Sequence, residues 1–143
     1  PGADYNPINA CTAFDSRPGQ GASGGFLGER NDGAATTYQI TGSYTGQGGT
    51  VVGCGVPAGA DAVLVNLVSI QADFAGNFQA FATGSNPTGG VLNFAPTSPV
   101  MNNSNAVVVP LSAAGQLDLF TNAPSAAGAA TTHARGVILG YFD

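Results

Sequence analysis

Residues 62–70 read Ala-Val-Leu-Val-Asn-Leu-Val-Ser-Ile (AVLVNLVSI). Nine residues are short for a helix, and four of them (three Val and one Ile) are β-branched, which favours a strand. Apolar residues fall on both parities. The segment therefore reads as a central strand buried on both faces, and Asn66 inside it would need hydrogen-bond partners. A second strand, 116–120 (QLDLF), alternates strictly, with Leu117 and Leu119 on one face and Gln116 and Asp118 on the other. That is the pattern of a half-exposed strand.

Outward from these two, short apolar or alternating runs cover 8–15, 36–44, 50–52, 77–83, 90–94, 106–111 and 132–142. Turn signals separate them at 46–49 (GQGG), 84–87 (GSNP), 96–99 (PTSP) and 114–115. No window carries a helical stripe, and 22 Gly with 9 Pro are hostile to long helices. About eight or nine short strands at this spacing predict an all-β fold, a single antiparallel β-sandwich with a jelly-roll-like character. Residues 1–10 read as an extended N-terminal arm leading into the first strand, and 11–143 as one sandwich domain. The Gly-rich 18–31 segment reads as an extended surface loop. Residues 136–142 (GVILGYF) read as a strand locked into the sheet.

Charge is scarce. Only 8% of the 143 residues are charged, against roughly 25% in an average domain. There is no lysine, and the three cations are Arg17, Arg30 and Arg135. The net charge of −5 with so few cations argues against nucleic acid and against a polybasic membrane contact. No apolar run reaches the ~18 to 20 residues of a spanning helix, so membrane insertion is not expected. The chain opens on Pro1, as expected of an exported protein after signal-peptide removal or of an excised piece.

In an exported chain, Cys11 and Cys54 are expected to form one disulfide, closing a loop of about forty residues for roughly 4 kcal/mol. Two buried free thiols are the alternative. Zinc would need two further ligands, and His133 is the one histidine. Other catalytic patterns are weak. Residues 19–24 (GQGASG) match a dinucleotide fingerprint, with no helix signal after them. Ser23, Ser43 and Ser69 lack a nucleophile elbow, and His133 reads as a structural histidine bonded to a neighbour. Asp15, Asp61, Asp73, Asp118 and Glu29 could in principle pair for glycoside chemistry. Asp15 and Arg17, two apart on a strand, share a face and are expected to bond locally. No cofactor, metal or catalysis is expected.

Six segments occur in an order that resembles an exported bacterial, actinobacterial-type cell-surface β domain. They are residues 5–17 (YNPINACTAFDSR), 53–60 (GCGVPAGA), 61–66 (DAVLVN), 90–94 (GVLNF), 103–110 (NSNAVVVP) and 132–142 (THARGVILGYF). The pattern it resembles runs PCRLxDTR, GVPAGAxAVxLN, LNF, VVVP and THxxxDVxGYF. This chain departs at Ala10-Cys11-Thr12, at Asp15-Ser16-Arg17, and at Val137, where the pattern has Asp. The resemblance implies a secreted all-β domain.

The function expected from these readings is a secreted, non-catalytic structural protein that assembles with itself into an extracellular filament or surface layer. Edge strands are normally guarded by lysine, and this chain has none. Asp4, Tyr5 and Ile8 of the arm are candidate assembly contacts by strand addition to a neighbour. The alternative is a carbohydrate-binding module of the cell envelope or matrix, with glycans as partners and Tyr38 and Tyr44 as the ligand platform.

Overall fold

The computed structural model describes residues 2–17, 19, 27–28, 35–87, 89–96, 102–122 and 131–143. Its strands are β1 Tyr5–Asp15, β2 Leu27–Gly28, β3 Thr36–Gln39, β4 Ala62–Ile70, β5 Gly76–Ala82, β6 Leu92–Phe94, β7 Asn103–Pro110, β8 Gln116–Asn122 and β9 Thr131–Phe142. They form two antiparallel sheets, ordered β1-β9-β4-β7 and β3-β8-β5-β6, with the two-residue β2 added to β9. The all-β sandwich expected from the sequence is therefore what forms. Counted without β2, the strand orders are 1-8-3-6 and 2-7-4-5, the winding of a jelly roll.

β4 lies between β9 and β7, as a central strand should. Its burial nevertheless alternates. Val63, Val65 and Leu67 are fully buried against the second sheet, whereas Leu64, Asn66 and Val68 are half-buried. Two sheets leave no third layer to cover the outer face. Asn66 sits on that outer face and not in the interior. β8 alternates as its sequence reads, with Leu117 and Leu119 inward. Between the sheets Phe14 of β1 stacks on Tyr38 of β3, ring centroids 3.8 Å apart. Phe14 fits only because its partner across β9 is Gly136, where a Cβ would drive into the ring.

Side-chain amides close both flanks of the sandwich. On one flank Gln47 accepts the Gln39 N–H (3.1 Å) and donates to the carbonyls of Gln39 (2.8 Å) and Ala13 (2.7 Å). One amide thus joins edge strand β1 to edge strand β3. On the other flank Asn105 donates to the Val91 carbonyl (2.8 Å) and Asn103 to that of Asn93 (3.4 Å), tying β7 to β6.

The 40–61 connection is long for a segment without regular structure, and two anchors hold it. Cys11 and Cys54 are disulfide-bonded, as expected. The buried Tyr44 hydroxyl donates to the Ile40 carbonyl (2.7 Å) and accepts the Cys54 N–H (3.1 Å). Residues 50–52, expected as a strand, are turn and loop, and the strand expected over 36–44 stops at Gln39.

The N-terminal arm needs correction. β1 begins at Tyr5 and pairs with the chain's own β9 through Tyr5↔Phe142, Asn6↔Tyr141 and Pro7↔Gly140. The Tyr5 ring lies over Gly140 and 5.1 Å from Phe142, and Ile8 packs against the core. Asp4 exchanges backbone hydrogen bonds with Asp143. Pro7 misled the sequence reading; on an edge strand its missing N–H costs no ladder bond. Of the 18–31 loop, only residues 19, 27 and 28 are described, and the rest lies outside the described residues.

Replacing Gln47 by Ala strands the polar groups of Gln39 and Ala13. The expected loss is about 2–3 kcal/mol, read as a lower urea midpoint at unchanged slope.

Candidate functional site

A bulge builds the most distinctive surface feature. In a regular strand Thr12 and Asp15, three apart, would face opposite ways. The β1–β9 register shifts between Thr12 and Phe14, so Thr12 pairs with Val137 and Asp15 with Arg135. Residues 135 and 137 share a face, and Thr12 and Asp15 therefore do so too. They point to the outer side of the β1-β9-β4-β7 sheet.

Asp15 is 2% exposed. Arg17 grips it with Nε to Oδ1 (2.9 Å) and Nη2 to Oδ2 (2.6 Å), and its backbone N–H adds a bond to Oδ1 (3.1 Å). Arg135 stands beside the same carboxylate, Nε to Oδ2 at 3.9 Å, and is held by Nε (3.3 Å) and Nη2 (2.8 Å) donating to Thr12 Oγ1. Burial raises the Asp15 pKa, but the Arg17 hydrogen bonds and the two positive charges outweigh it and leave the carboxyl below its ordinary value. The carboxylate in turn raises the Arg17 pKa.

The 46–50 loop forms the far wall. Its backbone bonds to β1 twice, Asp15 N–H to Gln47 O and Thr50 N–H to Thr12 O, both 2.9 Å. Gly48 and Gly49 are required there, because a Cβ on either would enter the carbonyl oxygens of Asp15 and Ala13. Thr12, Asp15, Arg17, Arg135 and Gly48–Thr50 enclose about 330 Å³, at the small end of ligand sites. Both described arginines line it. Two guanidiniums against one carboxylate leave a surplus of one positive charge. Neither Nη1 has a hydrogen-bond partner among the described residues. The pocket lining is mainly polar, suited to an anionic oxygen group rather than an apolar ligand.

Next to it, His133 is 1% exposed, and its Nδ1 is 3.1 Å from Ser16 Oγ. Ser16 is 6% exposed and already accepts the Ala134 N–H (2.9 Å). The pair is enclosed, so it braces β1 against β9 and presents no nucleophile. Burial holds the imidazole pKa below its ordinary value.

Other expected site residues scatter. Tyr38 and Tyr44 are 4% and 2% exposed, so the glycan platform assigned to them is corrected: both rings are core. The Tyr44 hydroxyl is hydrogen-bonded inside, and the Tyr38 ring stacks on Phe14. Asp118 accepts Thr37 and Thr83 hydroxyls, each at 2.7 Å, and so links β8 to β3 and to the turn that follows β5. Glu29, Arg30, Ser23 and most of 19–24 lie outside the described residues. No group of three or more His, Cys, Asp or Glu among the described residues is placed to hold a metal. No described helix is long and apolar enough to cross a membrane.

Sequence reasoning paired Asp15 with Arg17 and missed Thr12, Arg135 and Gln47. A signal for Arg135 existed, since it is the single charged residue in 132–142. No protein-family model matches this chain, and no curated protein does.

Two acid-side steps in stability are expected. His133, with a depressed folded pKa, favours the folded state above about pH 6.5, and that contribution falls as pH drops. Asp15, also depressed, contributes above about pH 3.9 and loses this as pH falls through its folded value. Urea unfolding across pH should show both steps, with His133→Gln flattening the first and Asp15→Asn the second.

Proposed function

We propose that this chain is a secreted, non-catalytic structural subunit that associates with copies of itself in an extracellular filament or surface layer. One observation carries the reading, the outer face of the β1-β9-β4-β7 sheet. There Leu64, Asn66 and Val68 of β4 lie beside Val108, Ala106 and Ser104 of β7, and Asn66 and Val68 lie beside Val137 and Arg135 of β9. Val108 is 55% exposed, and no ionisable side chain interrupts the face until Arg135. Asn66 stands in its middle with no side-chain hydrogen bond among the described residues. A monomer ordinarily guards such a face with charge. The chain-wide lack of lysine and the resemblance to exported surface domains support the same reading.

Magnitude limits what this face does alone. Three strands roughly 5 Å apart and about seven residues long at 3.3 Å each cover roughly 300 Å². Two such faces bury about 600 Å², short of the ~1,000 Å² of a stable interface. The face supplies a lateral contact, and an assembly needs a second one.

Light scattering with negative-stain electron microscopy tests the reading. Assemblies much larger than the 14.1 kDa chain are expected, and a monomer at every concentration would refute it. Val108→Lys should raise the concentration at which assembly begins by about tenfold, equivalent to about 1.4 kcal/mol.

A further inference from the structure

The second contact is suggested by how charge is distributed along the β1–β9 pair. At one end Asp4, Asp61 and Asp143 meet. Asp4 and Asp143 exchange backbone hydrogen bonds (2.9 and 3.3 Å), and Asp61 N–H donates to the Phe142 carbonyl (2.8 Å). All three are exposed, and none is ion-paired with a described cation. Toward the other end lies the pocket with Arg17 and Arg135, its surplus positive charge and two Nη1 groups without a hydrogen-bond partner among the described residues. From Asp143 back to Arg135 is eight residues along β9, about 25 Å. This exceeds the ~10 Å screening length at 0.1 M salt, so the two ends do not neutralise each other within one molecule.

We propose that the Arg17–Arg135 pocket receives the Asp4–Asp61–Asp143 end of a second copy of this chain, joining copies head to tail. The occupant is a carboxylate, because the pocket is small and mainly polar and its donors without a partner among the described residues are forked guanidinium N–H groups. A second copy offers three carboxylates in one place, and with the chain at −5 the pocket is a rare positive spot. Asp15 does not block entry, since Arg17 already holds both its oxygens. The two surfaces are different patches of one molecule, so the contact is heterologous and does not close on itself unless the rotation forms a ring. It therefore yields a directional chain. The inference rests on the self-assembly reading and names the axial contact that the lateral face alone does not provide.

The test uses two variants of the full chain. Arg135→Glu reverses the pocket, and Asp61→Arg with Asp143→Arg reverses the opposite end at exposed positions. Circular dichroism and thermal melting check that both fold. Each alone now opposes like charges and should raise the assembly concentration by on the order of a hundredfold. Mixed together they are complementary at every junction, so filaments should return in the mixture. Wild-type filaments should dissolve between about 0.01 M and 1 M salt, as the screening length falls from about 30 to 3 Å. If wild type assembles and folded Asp61→Arg/Asp143→Arg assembles equally well, the pocket contact is wrong and the self-assembly reading survives. If variants fail singly and their mixture also fails, complementarity is refuted. If wild type never assembles, both ideas fall.

Discussion

The buried carboxylate of Asp15 decides where the chain's scarce positive charge goes. At 2% exposure an isolated carboxylate would carry a desolvation cost of several kcal/mol, and the chain answers with Arg17 and Arg135 together. Much of the surrounding structure follows from that demand. The bulge at Ala13 puts Thr12 where it can orient Arg135. The 46–50 loop bonds to the Asp15 and Thr12 backbone, and needs two glycines to come so close. The disulfide and the Tyr44 hydroxyl hold that loop's other end. A structural need, to neutralise one buried acid, thereby leaves a surface pocket with more positive charge than it consumes.

Elsewhere the chain works with neutral groups. Many sandwiches protect open flanks with lysine, which repels other copies. Here amides of Gln47, Asn103 and Asn105 span the flanks and satisfy backbone groups across the gap. An amide offers donor and acceptor together, so it can complete a ladder on both sides, which an ammonium cannot. The flanks are thus closed without adding charge.

Much of the architecture was legible in the sequence. The alternation of 116–120 gave the inward face of β8, and 62–70 gave a central strand. The expectation of export, with two cysteines, pointed to the disulfide that forms. The failures share a physical form. Apolar residues on both parities of β4 implied two covered faces, but a two-layer fold covers one. Pro7 suggested an arm, though an edge strand tolerates proline. Tyr38 and Tyr44 were offered as surface platforms, yet stacking on Phe14 holds Tyr38 inside and the Ile40 and Cys54 backbone holds Tyr44. Thr12 was hidden because a bulge changes parity without leaving a mark that pattern reading detects. Gln47 lay within a run that reads only as a turn.

That glutamine gives the molecule a chemical lifetime. Water can hydrolyse a side-chain amide to a carboxylate with release of ammonia. At Gln47 the change would erase both N–H donors and set a negative oxygen against the carbonyls of Ala13 and Gln39. One atom exchanged would unclasp β1 from β3. Hydrolysis of this single side chain would loosen a whole flank of the sandwich without cutting any peptide bond.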